Sequence, residues 1–71
     1  MTFETTDIVL AACLRIKGYK MVNIVKQGNK GTFVFEQVQE SVVNQYDLGQ
    51  LLVEPRALNN EIKALTTAAR R

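Results

Sequence analysis

A chain of 71 residues has room for one hydrophobic core, and a domain of this size buries only about 60% of the surface its unfolded chain exposes. With 46% hydrophobic and 23% charged residues it lies outside the disordered class. One cysteine, Cys13, and no histidine leave neither an intrachain disulfide nor a set of soft ligands for zinc, so no metal, cofactor or covalent staple is expected.

A single domain spanning residues 1–71 that lacks those devices gains margin most readily from a second subunit, and a homo-oligomer is therefore expected. The N-terminal MTFETTD has no basic stretch ahead of an apolar run, and the longest such run, Ile8 to Leu14, covers seven residues. That predicts no signal peptide, no membrane span and a cytoplasmic setting.

Thr5, Thr6 and Asp7 signal the start of a helix, since hydroxyl and carboxylate oxygens can accept from the free amides of a first turn. Phe3 is placed to staple onto that turn. The helix should run from Asp7 to Lys17, with Gly18 taking the left-handed position after it. Ile8 to Ile16 is apolar on nearly every side, broken only by Arg15. Such a helix needs cover on two sides, and an interface between copies is expected there and on the outer face of the following hairpin, through Val9, Leu10, Leu14, Met21 and Val34.

Tyr19 to Lys26 and Thr32 to Val38 are rich in β-branched and aromatic residues and flank the polar turn Gln27 to Gly31, which predicts a β-hairpin. Alternation assigns Val22, Ile24, Phe33 and Phe35 to the core and Met21, Val25 and Val34 to the opposite face. Glu40 to Leu48, closed by Gly49, reads as a short helix with Ser41 near its N-cap. Leu51, Leu52 and Val53 read as an extended segment able to join a sheet edge, held extended at Glu54 by the following proline. Pro55 opens a last helix whose Leu58, Ile62, Leu65 and Ala69 fall on one stripe. The fold class expected is α+β, a single small domain in the order helix, β-hairpin, short helix, C-terminal helix.

Taken together, TTDIVLAACLRIKG, YKMVNI, TFVFE and GQLLVEPRALNNEIKAL resemble a family of short phage and bacterial proteins classed as a domain of unknown function. The resemblance rests on the Thr-x-Asp helix start, the Phe33-Val34-Phe35 strand and the Val-x-Pro-Arg approach to the last helix, and it covers almost the whole chain. It implies a small stand-alone protein of a virus or other mobile element. It implies no activity and no catalytic residues.

Enzyme chemistry finds little support in these residues. Histidine is absent, Cys13 sits mid-helix between apolar neighbours, and Asp7 is explained by capping. Gly28 to Gly31 lacks the strand-to-helix context and spacing of a phosphate loop, and Lys30 to Phe35 departs from the aromatic strand of RNA-recognition motifs at Thr32 and Glu36.

The net charge of +2 conceals a segregation. Residues 15–30 carry Arg15, Lys17, Lys20, Lys26 and Lys30 with no acid, whereas residues 36–54 carry Glu36, Glu40, Asp47 and Glu54 with no base. The reading favoured is a non-catalytic interaction protein that binds or modulates another macromolecule. The alternative is nucleic-acid binding through the basic block of residues 15–30, with Arg15, Lys17, Lys20, Lys26 and Lys30 contacting phosphates from a hairpin tip and the helix end behind it.

Overall fold

The computed structural model describes residues 2–28 and 30–70, with the side chains of Gln27, Lys30 and Arg70 outside the described set. Met1, Asn29 and Arg71 also lie outside it. In chain order the elements are β1 (Thr2–Thr5), α1 (Ile8–Ile16), β2 (Met21–Gln27), β3 (Lys30–Glu36), α2 (Glu40–Asp47) and α3 (Pro55–Arg70). The fold is mixed α+β, with a three-stranded sheet of order β1-β3-β2 in which β3 pairs antiparallel with both neighbours. Strands β1 and β2 therefore run parallel to each other, joined through α1, with β3 between them.

Strand β1 is the element that the sequence pattern does not announce. Phe3 belongs to this strand: it lies opposite Phe35 in the sheet and packs against the core, while Thr5 lies opposite Phe33. Four residues are too few to display a strand period, and the capping signal of Thr5 to Asp7 dominates the same stretch. Both functions coexist. Thr5 Oγ1 accepts from the Asp7 amide at 3.1 Å, and Asp7, the N-cap of α1, accepts the Val9 and Leu10 amides through Oδ1 at 2.9 and 3.3 Å.

Helix α1 ends as its glycine requires. Gly18, at φ +95°, donates to the Arg15 carbonyl and Tyr19 donates to the Leu14 carbonyl, the paired bonds of a Schellman motif. Between its caps, Leu10, Ala11, Ala12, Cys13 and Leu14 are all buried. The small Ala11 and Ala12 let neighbouring elements approach closely. The chain itself thus supplies the cover that an apolar helix needs, chiefly from α3 and from the sheet.

The core lies between these helices and one face of the sheet. Phe33, Phe35 and Leu65 are buried in it, and Phe3, Met21, Ile24, Leu58, Ile62 and Ala69 pack around them. Alternation assigned β3 correctly and failed on β2. Met21 lies opposite Phe35 and Asn23 opposite Val34, so β2 spends two residues where β3 spends one. This bulge makes Val22 the extra residue and leaves it 44% exposed, while Met21 and Ile24 both pack on the core. A strict period of two cannot hold across such an insertion.

Helix α2 differs in character from the rest. Its N-cap is Gln39, which makes no side-chain cap bond, and Ser41 lies inside the helix rather than at its start. None of its residues is buried; Val42 and Tyr46 rest against the margin of the core. The following Leu51, Leu52 and Val53 join no strand, so both sheet edges stay with β1 and β2. Among the described residues no helix is long and apolar enough to cross a membrane.

Candidate interaction surface

Residues 48–54 connect α2 to α3 and carry the two most exposed large hydrophobic side chains among the described residues, Leu48 and Leu52. Helix α2 closes on a second Schellman motif, in which Gly49 at φ +70° donates to the Tyr46 carbonyl at 3.0 Å and Gln50 donates to the Gln45 carbonyl at 2.8 Å. At the far end Glu54 caps α3, its Oε2 accepting the Ala57 amide at 2.7 Å ahead of Pro55, the first helical residue. Capping bonds thus fix the segment at both ends. Between them Leu51 and Val53 are half-buried, whereas Leu48 is 71% exposed and Leu52 82%. Asp47 and Glu54, both exposed, stand at the two ends, and Glu40 is exposed at the start of α2.

One side-chain bond ties this region to the core helix. The Tyr46 hydroxyl donates to Asp7 Oδ2 at 2.7 Å, so a single carboxylate caps α1 with one oxygen and holds α2 with the other. The bond to Asp7 holds the Tyr46 proton on, pushing its pKa up to about 12, with burial and the Asp7 charge acting in the same direction. The Cys13 thiol is likewise pushed up, first by burial and then by the charge of Asp7, against a smaller opposing effect of Lys17. A buried thiol held in its protonated form is a poor nucleophile.

The structure does not gather the basic residues at one point. Lys20 precedes Met21 at the start of β2, and Lys26 lies opposite Gly31 near the turn, about 20 Å away at the rise of a strand. Arg15 and Lys17 belong to the C-terminal end of α1, which leads into Lys20 and so sits away from the turn. The expected arrangement of Arg15, Lys17 and Lys20 directly behind the tip is not what the connection of α1 to β2 produces. Arg15 is also engaged, its Nε lying 3.3 Å from Glu61 Oε2 of α3. That pair uses an acid outside the acidic block, and among the described residues no ion pair joins the two charge blocks. The side chain of Lys30 lies outside the described residues.

The residues expected to contact a second copy separate in the same way. Leu10 and Leu14 are 5% and 0% exposed and belong to the core of the single chain, so neither offers surface to a partner. Met21 packs on the core side because of the bulge. Val34 lies on the open sheet face between Glu4 and Asn23, half-buried by its neighbours, and Val9 alone of the α1 pair Val9 and Leu10 reaches the surface.

Leu48 and Leu52 escape a reading of the sequence because each has a plausible buried role, one ending a helix and one in a strand. The signal that the sequence does carry is composition: the seven residues between the two helices include three leucines and a valine, where a polar turn would be usual.

A family model described as a domain of unknown function, DUF5659, matches residues 1–66. Neither a curated protein nor a solved structure gives a significant match.

Proposed function

The chain belongs to the DUF5659 family of domains of unknown function, and we propose that it is a small non-catalytic interaction protein whose contact surface is the α2–α3 connection. The observation that carries this reading is the exposure of Leu48 and Leu52, far above that of any other large hydrophobic side chain among the described residues. Exposed leucines on one short connection fixed by caps are costly in water, and covering them rewards a partner by about 1.5–3 kcal/mol per fully buried side chain. Several acids of the chain, by contrast, have structural work: Asp7 caps α1 and holds Tyr46, Glu54 caps α3, and Glu61 pairs with Arg15. The implied setting in a phage or other mobile element and a cytoplasmic location belong to the same proposal.

A photo-crosslinking residue placed at position 52 and expressed in the native cell tests it. A discrete covalent adduct from position 52, without one from the exposed Asn59 of α3, is the expected result. No adduct above the Asn59 control contradicts the reading.

Nucleic-acid binding is the second reading, and what favours it is that Lys17, Lys20 and Lys26 are exposed and, among the described residues, make no ion pair with the acidic block. Retention on duplex DNA at about 50 mM salt, with a logarithmic salt slope near −0.9 for each phosphate contact, is its signature. Lys20→Glu with Lys26→Glu should abolish that retention while leaving the fold intact.

A further inference from the structure

We propose that the partner segment seated on Leu48 and Leu52 is a basic one, a stretch of another protein in which aliphatic or aromatic side chains are flanked by Lys or Arg. This rests on the interaction reading above and adds the chemistry of the partner to it. From residue 36 to residue 54 every charge is negative, and Asp47 and Glu54, which bracket the connection, are exposed, as is Glu40 at the start of α2. The exposed Arg56 in the first turn of α3 offsets one of the four acids Glu36, Glu40, Asp47 and Glu54 and leaves residues 36–56 net negative, and an apolar patch among predominantly acidic neighbours selects a ligand that is apolar at its centre and opposite in sign at its edges.

The same rim excludes other occupants. A second copy docking through the same face would bring together two net-negative segments, a like-charge approach that works as discrimination rather than attraction. A polyanion is repelled for the same reason. Among the described residues no ion pair engages Glu40, Asp47 or Glu54; the pair present links Arg15 to Glu61, outside this segment.

The backbone of the surface is ready before the partner arrives. The Schellman bonds at Gly49 and Gln50 and the Glu54 cap fix both ends of the segment, which lowers the ordering cost of presenting Leu48 and Leu52 on binding. Strand addition does not compete with this surface on the β2 edge. There the Val22 bulge shifts the register of the strand, the Ile24 amide donates to Asn23 Oδ1 at 2.9 Å, and Lys20 precedes the strand while Lys26 lies near its end.

The test is a titration of isotopically labelled protein, followed by amide NMR, with two short amphipathic peptides of one pattern, one of Leu and Lys and the other of Leu and Glu. The Leu/Lys peptide should shift the resonances of residues 47–54 saturably, and Leu48→Ser with Leu52→Ser should weaken it about tenfold or more, roughly 1.4 kcal/mol per factor of ten. Asp47→Lys should weaken it at low salt while the Tm of both variants stays that of the wild type, because all three positions are exposed. Equal binding of the Leu/Glu peptide, or no saturable shift at residues 47–54 with either peptide, overturns the proposal. So do shifts at those residues on concentrating the protein alone, which would make a second copy the occupant. An adduct from position 52 in cells combined with failure of the Leu/Lys peptide would retain the interaction surface and reject its basic partner.

Discussion

Helices α1 and α2 are nearly the same length, nine and eight residues, and both end on a glycine in a Schellman motif, yet they have opposite relations to the core. Helix α1 has five consecutive buried residues and a side-chain cap at its start. Helix α2 has no buried residue, no side-chain cap, and a tether through Tyr46 to the cap of its counterpart. The difference shows how a 71-residue chain divides its material. One helix, the sheet face and the stripe of α3 take up the apolar side chains that can be covered, and the connection after α2 is left at the surface with two leucines uncovered.

Truncation should expose that difference most strongly. Leu14→Ala removes a fully buried side chain beneath α3 and the sheet and should cost about 2–5 kcal/mol, a large part of the stability of so small a domain. Leu52→Ala, with the same chemical change at a surface position, should stay within about 0.5 kcal/mol. Urea unfolding followed by circular dichroism measures both, and similar losses for the two variants would erase the distinction.

Asp7→Ala strikes the joint between the two helices. It removes the α1 cap, about 0.5–2 kcal/mol, and leaves the Tyr46 hydroxyl without its acceptor. Tyr46→Phe removes only the second interaction and should cost about 0.5–1.5 kcal/mol. In the double variant the two losses should fall short of their sum, because they share the Tyr46 to Asp7 bond; strict additivity would show that this bond does not hold α2.

Alkaline pH should produce the smallest effect and locate it. In the folded chain Tyr46 holds its proton to about 12 against an ordinary value of 10.0, so across that interval the folded state binds more protons than the unfolded one. The contribution is therefore complete below pH 10 and declines as pH rises toward 12. The stability difference between wild type and Tyr46→Phe should shrink over the same interval, whereas a constant difference would assign the bond to something other than the phenolic proton.

Much of this architecture was readable because it obeys local rules. Gly18 and Gly49 marked helix ends, Asp7 marked a start, the period of Leu58, Ile62, Leu65 and Ala69 marked the core-facing stripe of α3, and Phe33 and Phe35 marked the core face of β3. The misses arose where a tertiary decision overrode a local one. The Val22 bulge reverses the sides of Met21 and Val22, and no feature of MVNIV announces an extra residue. Strand β1 spans only Thr2 to Thr5, and an alternation of four residues is too short to stand out in the sequence beside the capping signal that follows it. The apolar excess of α1 was real, but α3 and the sheet cover it, and the exposed apolar surface emerged instead at Leu48 and Leu52. Charge segregation was visible in the sequence; its burial pattern was not, because exposure is a property of the assembled chain.

Native-state hydrogen exchange compares the two helices amide by amide. Amides of α1, β3 and the middle of α3 should exchange only through global unfolding, and those of α2 through a smaller opening that Tyr46→Phe makes easier without changing the α1 amides by more than the global loss. Protection of α2 equal to that of α1, unaltered by Tyr46→Phe, would contradict a surface helix held at the margin of the core with the help of the Tyr46 to Asp7 bond.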